Sequence, residues 1–256
     1  MLYIEKKPCP ADIQAEIDHL TRTKTWQSFS EHPTADEAKR IRTNYFNKLD
    51  KSRVREALIA EQKGICAYCM CAIENNGRST TIEHLVPLSK SKAGAMSYAN
   101  WLAVCNGGRN TPLSGGEKRV ICCDAKKSNT SVTLTPLDRD RMEHIAYYDD
   151  GSIYYRDPSD PQYPQLRRDL NEVYGLNGTV DARGRSRKDT TTGIVKRRKD
   201  TYITLFEELM EMEAQGLLTA DLVRRFRRSL CEDEAWEPFV GVKLYVLDLF
   251  LETLGE

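Results

Sequence analysis

This chain lacks an excess of charge of either sign. Its 38 lysines and arginines are matched by 38 aspartates and glutamates. A global electrostatic pull toward nucleic acid is therefore excluded, and any basic footprint has to be local. Long apolar runs are also missing. No stretch approaches the roughly 18 apolar residues of a membrane-spanning helix, and the opening MLYIEKKPCPADIQ has no apolar signal core. The chain is expected to be cytoplasmic, without a membrane partner. There is no internal repeat and no low-complexity tract. Histidine is scarce, at four residues. The aromatic pattern offers no series of stacked platforms for reading single strands. At 256 residues and 40% hydrophobic, the chain suffices for one substantial domain or a small core domain with extensions.

Cysteine, by contrast, is plentiful and unevenly placed. Of eight, Cys9 and Cys231 are isolated and read as packing residues. Cys66, Cys69, Cys71, Cys105, Cys122 and Cys123 share one segment. In a reducing compartment such clusters are more often metal ligands or catalytic thiols than disulfides.

The element pattern is helical at both ends. TADEAKRIRTNYFNKL opens with Thr34 and carries Glu37 three residues on, the signature of a capping box. DKSRVREALIAEQKG puts Val54, Leu58 and Ile59 on one face and stops at Gly64. A glycine-punctuated, cysteine-rich region follows, to about Asn129. MEHIAYYDDGSIYYRD reads as a β-hairpin turning at Asp150-Gly151. From Leu166 onward the pattern is mostly helical again. The expected organisation is a helical extension over 1–60, a core over 61–135, and a β-hairpin followed by a helical region over 136–256.

Cys66 and Cys69 have the C-x2-C spacing that grips one tetrahedral ion from a tight knuckle. Cys105 and one cysteine of ICCD are the candidates for the other half. The intervening NGGRNTPLSGGEKRVIC is rich in glycine and polar residues, so it can loop out while its ends stay together. The competing readings are plain buried thiols and a C-x2-C redox motif.

Between the two halves lie TTIEHLVP and then YANWLAVC; CDAKK follows the last cysteine. The order Cys-x2-Cys, Glu-His, Asn, Cys, Cys-Asp-x-x-Lys resembles the HNH endonuclease family, whose ββα-metal core is stapled by such a zinc cluster. EALIAEQKGICAYC, TIEHLVPLSKS, NWLAVCNGG and CCDAKKSN are similar to the PtuB branch of that family, the HNH component of Septu and retron-linked anti-phage systems. The resemblance implies an α+β fold with structural zinc on Cys66, Cys69, Cys105 and Cys123, the last preferred to Cys122 because it directly precedes Asp124. It implies a catalytic magnesium or manganese on Glu83 and Asp124, His84 as general base, and Asn100 orienting the histidine and its loop. Lys127 and Lys126 would face phosphate. The implied partners are a PtuA-like ATPase and, in some systems, a retron reverse transcriptase with its non-coding RNA; the substrate would be DNA or RNA, tRNA included.

Phosphodiester hydrolysis suits these residue types. It needs an activated water, a positioned phosphate and neutralisation of the leaving oxygen. Histidine, with its near-neutral pKa, serves the first task, and a hard cation on oxygen ligands serves the others. One difficulty is visible in advance. Adjacent residues of a strand point to opposite faces, so Glu83 and His84 can share one centre only if the strand ends there. Pro87 makes such an end plausible. Asn100 can also be read as a turn residue and Asp124 as a helix N-cap.

One local basic stretch suits phosphate contacts: RGRSRKDTTTGIVKRRK, with Arg183, Arg185, Arg187, Lys188, Lys196, Arg197, Arg198 and Lys199. Its first half reads as flexible. RRFRR at 224–228 reads as a partner-facing or solvent surface. Two other functions compete with the nuclease. A non-catalytic zinc-knuckle adaptor requires that Glu83, His84 and Asp124 do not converge. A thiol oxidoreductase requires a reactive thiol at Cys66 or Cys69.

Overall fold

The computed structural model describes residues 1–113 and 118–255. Among these residues the chain is α+β, with eleven α-helices and three small two-stranded antiparallel hairpins. The N-terminal helices are α1 (Ala11–Thr21), α2 (Lys24–Gln27), α3 (Ala35–Asn44) and α4 (Lys51–Glu61). The cysteine-rich region holds β1 (Thr80–His84), α5 (Lys92–Ala95), β2 (Trp101–Cys105) and α6 (Cys123–Lys127). Beyond it come α7 (Arg139–Glu143), β3 (Ile145–Tyr147), β4 (Ile153–Tyr155), α8 (Tyr163–Arg168), β5 (Thr179–Val180) and β6 (Ser186–Lys188). The chain closes with α9 (Ile194–Ala214), α10 (Ala220–Glu232) and α11 (Val240–Thr253).

Local signals account for the elements that frame the cysteines. Both halves of the Thr34–Glu37 capping box form at the start of α3. Asp50 caps α4 by accepting from the Ser52 and Arg53 amides. α4 ends where Gly64 takes φ +86, a region open to glycine at no steric cost. Val54 and Leu58 are fully buried, and α4 packs on β1 and β2. Gln62, itself buried, donates to the Ala103 and Ile65 carbonyls and accepts from the Ala103 amide. These bonds satisfy backbone groups of β2 that β1 does not reach.

β1 and β2 pair in antiparallel register from Thr80↔Cys105 to His84↔Trp101. Trp101 to Val104 are all completely buried, so this small hairpin lies inside the molecule, with α4 on one side and α6 on another. One apolar cluster runs from Met1 to Phe250 through all three expected stretches. The C-terminal region is tied back to the cysteine knuckle by Trp236 N–H to Lys63 O and Phe239 N–H to Met70 O.

Two features differ from the sequence reading. The basic stretch that reads as flexible is pinned in part by the β5–β6 hairpin, since Asp181 accepts from the Arg183 and Arg185 amides at its turn. On the β3–β4 hairpin, Tyr148 and Tyr154 stack at 4.1 Å, with the Arg185 guanidinium 3.9 Å over Tyr148. Side chains flanking a hairpin turn meet across the strands, which a linear scan for platforms does not detect. No helix of the described residues is long and apolar enough to cross a membrane.

Candidate metal centre and active site

The knuckle at Cys66 is made by the backbone. Cys66 N–H donates to Cys71 O, Met70 N–H donates to Cys66 O, and Met70 takes φ +63 to close the turn. The opposing half forms where the chain returns from the insertion. Cys122 N–H donates to Gly107 O, and Gly107 sits at φ +62 so close to Cys122 that a β-carbon would lie 1.9 Å from its carbonyl oxygen. Only glycine allows that approach. Further along the insertion, Arg119 donates to the Thr111 carbonyl, and the Val120 carbonyl accepts from the Thr191 amide. The loop therefore closes on itself and delivers Cys123 beside Cys105; its residues 114–117 lie outside the described residues.

The result is four thiols, of Cys66, Cys69, Cys105 and Cys123, all within 4.8 Å of one another. The Sγ–Sγ distances are 4.0 Å for Cys66–Cys123 and 3.7 Å for Cys69–Cys105. A tetrahedron with zinc–sulfur bonds of about 2.3 Å has edges of about 3.8 Å. The geometry and the thiol donor set therefore fit a metal such as zinc. Two further thiols sit outside the four. Cys71 Sγ is 3.2 Å from Cys69 Sγ and accepts from Arg197. Cys122 Sγ is 3.9 Å from the Thr192 hydroxyl.

A cavity of about 320 Å³ lies at the end of β1, lined among others by Arg42, Thr81, Glu83, His84, Arg109 and Asp124. Strand alternation holds here. Thr81 and Glu83 face α6, where Thr81 Oγ1 donates to Asp124 Oδ2 at 3.3 Å and Lys127 Nζ meets Glu83 Oε1 at 2.6 Å. His84 faces the other way, against Phe46 and Trp101. Both nevertheless border the one cavity, because the ladder ends at the His84↔Trp101 pair.

Electrostatics differ sharply across these groups. Burial pushes the Glu83 carboxyl up to about 8; the Lys127 ammonium opposes that shift, and the hydrogen-bonded Asp124 carboxyl adds to it. Burial pulls the His84 imidazole down to about 4, against the bond to Ala95. His84 is thus neutral at pH 7. Its Nε2 lies 3.0 Å from the Ala95 carbonyl, which can only accept, so Nε2 carries the proton and Nδ1 keeps the free lone pair. That is the tautomer of a base.

The other expected site residues are placed as follows. Asn100 lies outside the cavity lining and staples the loop after β1: it accepts from the Val86 amide and donates to the Val86 and Gly94 carbonyls. Asp124 is not the N-cap of α6, a position that Cys122 holds; its carboxylate accepts from Thr81 and Arg109. Lys127 does not face solvent or phosphate. It is fully buried, bound to Glu83 and to the His84 carbonyl, because the short helix turns it inward beneath β1. Lys126 remains exposed. Arg198 is also buried, where it donates to Gly151 O, Leu176 O and Asn177 Oδ1 and joins the two hairpins to α9. Arg185 is engaged by Asp149 and Asp150, and Arg197 by the Cys71 sulfur. Arg183, Arg187, Lys188 and Lys196 are exposed, the last paired with Asp200.

Arg42, Asn47, Arg109 and Tyr68 escape the sequence reading. Arg109 carries a weak signal, a basic residue in the glycine turn NGGRN. Arg42 and Asn47 carry none, because only the packing of the N-terminal helices brings them to the cavity. Tyr68 sits inside the knuckle CAYC, and its hydroxyl is 3.5 Å from Glu83 Oε1, so the thiol cluster and the carboxylates share a wall. No protein-family model matches the chain, and no curated protein matches it.

Proposed function

We propose that the chain is a metal-dependent endonuclease of the HNH type, hydrolysing phosphodiester bonds of DNA or RNA. One observation carries this reading: a neutral histidine with a free lone pair and two carboxyl groups border a single polar cavity, on a strand–strand–helix unit held by four clustered thiols. The convergence of Glu83, His84 and Asp124 on that cavity counts against the adaptor, which has no use for it. Burial of Cys66 and Cys69 counts against the oxidoreductase, whose thiol must be reached.

In this reading His84 Nδ1 takes the proton of the attacking water, while its Nε2–H stays on the Ala95 carbonyl. Glu83 and Asp124 would hold magnesium or manganese, which commonly keeps several waters on one or two carboxylates. When bound, the cation supplies charge neutralisation for the phosphate and the leaving oxygen. Lys127 holds Glu83 in place from below, and Arg109 does so for Asp124. Asn100 fixes the loop over residues 85–100, which also carries the Ala95 carbonyl, and so keeps the His84 ring in one orientation. Cys66, Cys69, Cys105 and Cys123 would hold zinc as a purely structural ion.

By the resemblance noted above, this nuclease acts in anti-phage defence beside a PtuA-like ATPase, in some systems with a reverse transcriptase and its non-coding RNA. Met210 of α9, Leu217 of the turn that follows, and Leu222 and Phe226 of α10 are exposed apolar side chains, and the docking face is proposed on this C-terminal region. The test is cleavage of labelled DNA and RNA pools in magnesium, with and without the neighbouring ATPase. His84→Ala should lower the rate by about 100- to 10,000-fold and leave the zinc content unchanged. A His84→Ala protein that cuts at the parent rate sinks the proposal.

A further inference from the structure

Part of the cavity wall comes from outside the strand–strand–helix unit. Arg42 of α3, with Phe46 and Asn47 of the 3-10 turn that follows, lines the same space as Glu83, His84 and Asp124. Three cationic groups reach this region, and two are committed: Lys127 to Glu83 and Arg109 to Asp124. Arg42 is exposed and makes no hydrogen bond or ion pair to another described residue. Its own helix gives it no acid to hold. Positions 38, 39, 45 and 46, three and four residues away on the helix face, are Ala, Lys, Tyr and Phe. Phe46, one turn on, packs against the His84 ring at 4.4 Å, which fixes where α3 stands relative to the histidine. Lys51 Nζ lies over the Phe46 ring, and burial pulls its ammonium down to about 6, so it brings little charge to the site.

The cavity thus presents two carboxyl groups, a neutral base and one uncommitted guanidinium. An anion that tolerates the carboxylates, because a divalent cation lies between, would complete it. We infer that Arg42 binds the non-bridging oxygens of a backbone phosphate in the nucleic-acid strand being cut, so that helix α3 is a wall of the substrate site. The inference rests on the phosphodiesterase reading above. A guanidinium offers two parallel N–H donors to such a group, which a lysine ammonium cannot.

The test uses the full chain in a His84→Ala background, so that binding is measured without cleavage. The probes are a short fluorescent DNA duplex, the matching DNA single strand and the matching RNA, titrated over a salt series. Arg42→Ala should weaken binding about tenfold or more and lower the slope of log affinity against log salt by about one. With His84 restored, Arg42→Lys should keep the salt slope and still lose most of the cleavage rate. Melting should not move in either variant, because Arg42 holds nothing in the folded chain. Binding and cleavage by Arg42→Ala within about twofold of the parent, in a protein whose cleavage His84→Ala abolishes, overturns the inference and leaves the nuclease standing. A protein that cuts none of the probes whether or not His84 is present, while Arg42→Ala still weakens binding, removes the nuclease and keeps the phosphate contact.

Discussion

Replacing Cys123 by alanine should unfold this protein, whereas replacing its neighbour Cys122 should not. The two thiols are adjacent in sequence, and both are completely buried. They differ in what they face. Cys123 joins Cys66, Cys69 and Cys105 within 4.8 Å, while Cys122 approaches the Thr192 hydroxyl. A local backbone feature makes the choice. Cys123 takes φ +52 and donates its amide to the Tyr174 carbonyl, which turns its side chain toward the other three. The size of the effect follows from the zinc proposed on these four thiols. Structural zinc on thiolates contributes about 10–16 kcal/mol near neutral pH, as much as the whole stability of an ordinary domain, about 5–15 kcal/mol. Losing one of four thiolates forfeits much of that, and the remaining three are left buried side by side. Cys122→Ala removes one sulfur atom from a packed site, a change of about 1 kcal/mol. Cys71→Ala should resemble it, because Cys71 touches Cys69 from outside the four. The assay is elemental analysis of each purified variant, together with thermal melting with and without a chelator. Stoichiometric zinc in Cys123→Ala, or its loss in Cys122→Ala, refutes the assignment.

Three further outcomes follow from the buried polar groups. Lys127→Met leaves Glu83 without its cation, so burial should keep the carboxyl protonated to higher pH, and at pH 7 the loss should be that of the lysine's hydrogen bonds, about 1–3 kcal/mol in a denaturant melt; an undisturbed Lys127→Met means that the pair contributes nothing. In metal-free protein, Glu83 is protonated more readily when folded than when unfolded, so stability should fall as pH rises from about 4.5 to about 8. His84 acts with the opposite sign: its lowered pKa makes stability rise as pH goes from about 4 to about 6.5. Melting curves of Glu83→Gln and His84→Ala should each lack one of these slopes. Asn100→Ala should speed hydrogen exchange over residues 86–95 and lower cleavage, at about 1–2 kcal/mol of stability; unchanged exchange would deny it the stapling role.

What the sequence made legible is whatever depends on neighbours along the chain. The capping box at Thr34, the stop at Gly64, the turn at Asp150-Gly151 and the C-x2-C knuckle are all short-range devices, and each forms where its residues fall. The convergence of Cys105 with Cys123 was open to inference because the glycines of the insertion let its ends meet. The charged residues were the least legible. Lys127 and Arg198 look like surface cations in sequence, and both are buried and hydrogen-bonded within the chain. Nothing in CDAKKSN tells Lys126, which is exposed, from Lys127. The difference is one step of about 100° around a helix of five residues, and which side is inner depends on where β1 passes.

Such burial links the two halves of the site. A lysine kept under a strand needs a carboxylate, and Glu83 supplies it. A glutamate kept there needs further polar company, and Tyr68 and Asp124 supply that. Tyr68 in turn is held between Cys66 and Cys69, so the position of its hydroxyl depends on the turn that gathers the thiols. The thiol cluster therefore does more than staple the fold: loosening the knuckle removes one wall of the Glu83 pocket and exposes the carboxyl to water. Exposure would let Glu83 ionise at its ordinary pH, without Lys127 and Asp124 set around it. An oxygen pair preorganised for a hard cation would become an ordinary surface acid. Chelation of the zinc proposed on the knuckle should consequently abolish the proposed cleavage, because the carboxylates lean on the knuckle; unchanged cleavage by zinc-free protein, once magnesium is restored, would refute this.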